Sequence, residues 1–208
     1  MYVPSHFAET RVEVLHQLIR THSLATLVTL DSEGLNANHL PMLLDADPAP
    51  FGTLRGHVAR TNTLWRDFST EVEALAIFQG PQGYITPSWY QTKQKTGKVV
   101  PTWNYAVAHA YGNIRVIEDQ AWLRDLVTQL TDEHEAKKAN PWQVADAPRD
   151  YVDGLLKAIV GIEFSITRIQ GKWKMSQNQN AANRAGVING LRNTDEAQAH
   201  TMADLIKQ

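Results

Sequence analysis

The stretch from Val99 to Ile117 is rich in β-branched and aromatic strand formers, with Pro101 and Gly112 as the breakers within it. Its length predicts one long strand, or two strands with a bend. A strand that only filled a core would not need Lys98, Thr102, Asn104 and His109 in or beside it. That mixture suits a strand passing beside a planar ligand or a partner subunit.

The segments around it set the fold class. Strands are predicted at 25–30, 35–44, 53–58, 74–79 and 160–169, with 173–176 also extended. Turn chemistry separates several of them: Asp31-Ser32-Glu33-Gly34, the Pro48/Pro50/Gly52 loop, Gly80-Pro81-Gln82-Gly83 and Gly171. Tyr84 to Pro87 reads as short and extended, and Ser88 to Thr96 as a polar, mobile connector. Helices are predicted at 8–22, 61–68 (capped by Thr61 or Asn62), 119 onward (capped by Asp119) and 151–159. A helical tail, 181–207, is interrupted at Gly190. Consecutive strands joined by turns favour antiparallel pairing. Six or seven short strands with four or five helices predict a mainly β, α+β fold, a barrel with peripheral helices. No repeat or domain linker is visible, so 1–208 reads as a single domain with a helical tail from about residue 180.

Composition excludes several classes. At 208 residues and 43% hydrophobic content the chain can bury a sizeable core. It has no Cys, so disulfides and thiolate metal sites are out. It lacks an apolar run of membrane-spanning length, and Met1-Tyr2-Val3-Pro4-Ser5-His6 has no signal-peptide character. A cytoplasmic protein with no membrane partner is expected. The net charge of −2 argues against a dedicated basic nucleic-acid module. Between Lys157 and Arg192, however, six cations face only Glu163, while 118–135 is strongly acidic. The first stretch could form a basic face for an anionic partner or be an ordinary solvated surface.

Four constellations could carry chemistry. Gly56-His57-Val58-Ala59-Arg60-Thr61-Asn62 runs from a strand into a helix start, where free N–H groups and an Arg suit a phosphate; it could equally be a plain helix cap. Asn38-His39-Leu40-Pro41-Met42-Leu43-Leu44 places Pro41 inside a strand, which predicts an edge or bulge with backbone groups left for a flat ligand or for solvent. Tyr84 to Tyr90, with Trp103 and Tyr105, supplies aromatic faces for a ligand or an interface. Lys172-Trp173-Lys174-Met175-Ser176-Gln177-Asn178 offers a stacking ring and uncharged donors, or simply ends a strand. The eight His residues form no metal box, and dinucleotide, P-loop and nucleophile-elbow motifs are absent.

Five blocks together resemble the PaiB family, described as FMN-binding negative transcriptional regulators. They are Met1 to Phe7, Gly56 to Asn62, Tyr84 to Tyr90, Val100 to Tyr105 and Lys174 to Asn178, in order along nearly the whole chain. One departure is Thr63, where the family often has Pro. The resemblance implies an FMN-binding split β-barrel of the pyridoxamine-phosphate-oxidase type, a homodimer with FMN between subunits, and a repressor role with DNA as a candidate partner. By position it implies that Leu40, Pro41, Met42 and Leu43 follow the flavin edge. His57, Val58, Ala59, Arg60, Thr61 and Asn62 would hold the phosphate, with Arg60 as charge partner. Thr102, Trp103 and Asn104 would approach the ring from its other side or from the second subunit, with Lys98 facing the site, and Trp173 and Gln177 would come from the partner subunit. Catalytic residues are not indicated. The competing functions are an FMN-dependent oxidoreductase, in which the cofactor carries the reaction, and a haem-binding split-barrel protein with a His ligand.

Overall fold

The edge position that Pro41 demands is where the chain puts it. In a computed structural model, which describes residues 1–206, β3 (Gly34–Pro41) is the first strand of an eight-stranded sheet and Pro41 its last residue. The other strands are β1 (Ala8–Glu9), β2 (Leu24–Asp31), β4 (Leu43–Asp45), β5 (Thr53–Ala59), β6 (Ala74–Ile85), β7 (Thr102–Ile117) and β8 (Ile159–Lys174). The order is β3-β2-β6-β7-β8-β5-β4, with β1 on β8. The β1–β8, β2–β3, β2–β6, β4–β5 and β5–β8 pairings are antiparallel. Six α-helices lie among the described residues: α1 (Val12–Thr21), α2 (Gln91–Thr96), α3 (Gln120–Glu135), α4 (Arg149–Leu156), α5 (Ala181–Arg192) and α6 (Ala199–Ile206). The α+β expectation holds.

Two compact units divide the chain. One comprises Ile19–Phe78 and Ala110–Ile169; the other comprises Met1–Leu18, Gln79–His109 and the chain from Gln170 on. In the first, β5 alternates cleanly, with Leu54, Gly56 and Val58 buried between half-exposed Arg55 and His57. Helix α3 starts where Asp119 accepts the Trp122 N–H at 2.8 Å. Its apolar stripe serves two clusters, Leu126 and Leu130 against Leu43, and Leu123 against Val152 and Leu156 of α4. Gly112 permits close strand contact, since a Cβ there would lie 2.1 Å from the Ser165 carbonyl oxygen.

In the second unit, α5 is capped by Asn180, which accepts the Asn183 N–H at 2.9 Å. Its buried Val187 and Leu191 lie on the same unit's core as Met202 and Ala203 of α6. Trp89 lies against α5 at two glycines: a Cβ on Gly186 would lie 2.0 Å from the Trp89 carbonyl oxygen, and one on Gly190 within 2.3 Å of its ring.

Three local expectations fail for one reason: glycines that allow close packing read like chain breakers. Gly80-Pro81-Gln82-Gly83 does not end a strand; β6 runs through it. Burial alternation changes phase at Gly80-Pro81, as at a bulge. A Cβ at Gly80 would lie 2.6 Å from Leu18 Cδ1. Gly171 is likewise inside β8, opposite Glu9. Gly190 lies within α5, and the break between tail helices comes after Arg192 instead. The first predicted helix shrinks to α1, preceded by β1, and 61–68 to the single turn Thr63–Trp65. The polar stretch read as mobile contains α2. Lys207 and Gln208, the end of the predicted tail, lie outside the described residues.

Candidate functional site

In the first unit, residues 40–42 and Gly56 come together because Gly56 has no side chain. A Cβ there would meet the Pro41 carbonyl oxygen at 3.0 Å and Leu40 Cδ1 at 3.2 Å. Leu40, Met42 and Leu43 are buried, and the Met42 N–H turns away from β3 to donate to Ser23 O at 2.9 Å. Pro41 is exposed and shares a cavity of about 370 Å³ with His57 of β5, Leu130 and His134 of α3, and Trp142. His57 Nδ1 is buried in this structure with no hydrogen-bond partner. Burial pushes the His57 imidazole below its ordinary pKa, so the ring is neutral near pH 7. On the same face of β5, Arg55 donates from Nη2 to Gln129 Oε1 at 2.9 Å, while its buried Nε has no partner.

The end of β5 is more fully engaged. The Arg60 guanidinium donates to Glu118 Oε1 at 2.5 Å, to Lys157 O at 2.9 Å and to Ile159 O at 3.3 Å. Asn62 caps the turn that follows by accepting the Leu64 N–H at 2.9 Å, and it donates to Asn38 Oδ1 at 2.7 Å. Asn62 thus caps a short turn, and Arg60 is held by Glu118 and two backbone carbonyls. Val58 is buried, whereas Ala59 and Thr61 are exposed.

In the second unit, Thr102 and Asn104 share one face of β7 and Trp103 takes the other. Lys174 Nζ donates to Thr102 Oγ1 at 2.6 Å, and buried Asn104 donates from Nδ2 to Ser176 Oγ at 3.0 Å. Trp103 is half exposed, meets Tyr84 edge to face at 6.3 Å, and donates from Nε1 to Gln82. Lys98 is exposed beyond the end of α2. Trp173 is buried, and the Gln177 amide bridges its own loop between the Met175 N–H and the Trp173 carbonyl. Sequence reasoning missed the α3 residues and Trp142 of the His57 cavity. Only tertiary packing brings a helix 70 residues downstream against β5, and no local signal announces it.

The family model described as "Putative FMN-binding domain" matches residues 1–168. The chain belongs to this FMN-binding family. A Bacillus subtilis protein named protease synthase and sporulation protein PAI 2 is 32% identical over all of this chain and 97% of its own length. An uncharacterized protein of Emericella nidulans, AN0679, is 37% identical over all of this chain and 97% of its own. The solved FAD and heme binding protein from Mycobacterium smegmatis shares the fold, with a TM-score of 0.58 and 17% identity over 80% of this chain and 73% of that one. This is therefore a PaiB-like FMN-binding split-barrel protein. The residues present fit the group: a largely apolar cavity, within the range of about 300–1,000 Å³ usual for cofactors, has a neutral, unpartnered imidazole in its wall. No helix among the described residues is long and apolar enough to cross a membrane.

Proposed function

We propose that this protein is a homodimeric negative regulator of transcription whose activity depends on FMN, with the flavin held at the Pro41–His57 cavity. The observation that carries this reading is that Pro41 and His57, one residue from each of two independently read segments, line one cavity with an unsatisfied buried donor or acceptor. Bound FMN supplies a ring that takes up one or two electrons. Pro41, Leu130 and Trp142 offer it apolar walls, and His57 Nδ1 offers a hydrogen bond. Arg60 reaches the phosphate by exchanging Glu118 for it, one anion for another. Thr102, Asn104 and the exposed Trp103 belong to the second, ring-facing set that the resemblance assigns.

A dimer is supported by the apolar surface of the second unit, where Tyr2, Tyr84, Val100 and Trp103 are all exposed; aromatic groups of this kind are enriched at interfaces. The regulatory role is what the resemblance to the PaiB family implies, and the full-length likeness to the Bacillus protein named for protease synthase and sporulation supports it. The cations of the basic stretch are partly neutralised, Arg168 by Glu73 and Arg192 by Asp204. FMN occupancy, more than bulk charge, is therefore the expected control of DNA retention.

A haem reading is favoured by one feature, the neutral, unpartnered His57, which has the form an iron ligand needs. The visible spectrum of the purified protein separates the two, with flavin bands expected and a haem band opposing the proposal. FMN-loaded and flavin-stripped protein then go into a salt-titrated DNA mobility shift. Retention above the non-specific level in only one of the two states is expected. No such retention in either state, together with steady NADH or NADPH oxidation by the flavin form, would establish the oxidoreductase instead.

A further inference from the structure

Tyr90 is 3% exposed, and its hydroxyl has no hydrogen-bond partner. Buried hydroxyls are nearly always partnered, so such an orphan asks for an explanation. Tyr90 lines a cavity of about 130 Å³ together with Thr102, Asn104, Lys174, Ser176 and Asn178. That is well below the roughly 300 Å³ at which cavities begin to take cofactor-sized molecules. A cavity of this size admits only a group of a few heavy atoms.

The walls select charge. Lys174 is the one charged residue lining the cavity, and one of its three ammonium donors goes to Thr102. Asn104 is fully buried and locked to Ser176. Ser176 has φ 62°, in the left-handed region that residues with a side chain seldom adopt. The Gln177 amide, bonded to the Met175 N–H at 2.7 Å and the Trp173 carbonyl at 2.5 Å, braces that kink. Backbone strain held in place by its surroundings is a mark of ligand clamps. Asn180, the cap of α5, follows Asn178 by two residues, so the positive end of a helix dipole begins beside the same loop.

We propose that this cavity binds a phosphate-sized oxyanion, with the Tyr90 hydroxyl and the Lys174 ammonium as its principal donors. Burial holds the Tyr90 phenol above its ordinary pKa, so it stays a donor at neutral pH. The anion is either free in solution or the phosphate end of a nucleotide. The inference goes beyond the Pro41–His57 cavity, which neither Tyr90 nor Lys174 lines, and it meets the flavin reading only through Thr102 and Asn104.

Inorganic phosphate is titrated calorimetrically into the flavin-stripped full chain. One equivalent per chain is expected, weakened about tenfold by Tyr90→Phe, the worth of one hydrogen bond to a charged acceptor, and further by Lys174→Met. Tyr90→Phe removes only an unpartnered oxygen, and an unchanged melting temperature confirms its fold. The FMN-loaded protein then tells the two sources apart. Unchanged phosphate affinity identifies a free oxyanion. Loss of phosphate binding, with Tyr90→Phe weakening FMN but not riboflavin, identifies the flavin's own phosphate and removes Arg60 as its partner. No phosphate binding to stripped protein, or equal affinity in wild type and both variants, overturns the proposal and leaves a water-filled cavity.

Discussion

At the scale of single residues, burial decides what His57 and Arg60 can do. The His57 and His109 imidazoles are both held below their ordinary pKa, chiefly by desolvation. The unfolded chain takes up those protons near pH 6.5, while the folded chain resists them. Their contribution to stability is therefore complete above about pH 6.5 and falls as pH drops toward the lowered folded values. Guanidinium unfolding at pH 7.5 and 5.5 should show wild type losing stability in acid and His57→Gln losing less; parallel losses would show that His57 is not involved. Arg60 makes the second residue-level prediction. Glu118 forms its ion pair at 2.5 Å and, on the proposed reading, competes with the phosphate. Glu118→Gln should tighten FMN about tenfold, a share of one charged hydrogen bond, and leave riboflavin affinity unchanged. Fluorescence titration with both flavins measures this, and equal effects on the two would remove Arg60 from the phosphate's neighbourhood.

Among elements, caps and glycine contacts explain which boundaries could be read and which could not. Asp119 and Asn62 were legible as caps because a short polar side chain ahead of an apolar run satisfies free N–H groups by its own chemistry. Asp119→Ala is expected to cost about 1 kcal/mol by denaturant melting, and no loss would mean that packing alone fixes the start of α3. Gly80, Gly171 and Gly190 misled for the opposite reason. Each is a glycine whose partner lies far away in the sequence: Leu18, Leu15 and Trp89 respectively. A local reading sees only the freedom of the backbone, not the neighbour that fills the missing Cβ's place. The Trp89 contact gives the sharper test. Gly186→Ala would drive a Cβ against the Trp89 carbonyl oxygen, a backbone atom that cannot rotate away, and should cost roughly 1–3 kcal/mol as overpacking does. A variant as stable as wild type would show that α5 is free to slide.

For the whole molecule, fold class was readable because strand-length runs joined by turns leave few topologies besides an antiparallel one. The site was readable only in halves. Pro41 and His57 signalled themselves through a proline inside a predicted strand and a strand-to-helix motif, whereas Leu130, His134 and Trp142 carry no pattern that distinguishes them from ordinary helix and loop residues. A site assembled from such distant pieces exists only in the folded chain, and flavin held there would add to global stability. A ligand that binds the folded state alone, present at 100 times its dissociation constant, adds about 2.7 kcal/mol. For a chain of this length each kcal/mol raises the melting temperature by roughly 2–4 °C. Saturating FMN should therefore raise it by roughly 5–11 °C. His57→Ala should lose part of that rise, because it removes the unpartnered ring nitrogen in the cavity wall and leaves the apolar walls in place. If FMN shifts wild type and His57→Ala equally by differential scanning calorimetry, the flavin is bound without His57 and the cavity beside Pro41 serves something else.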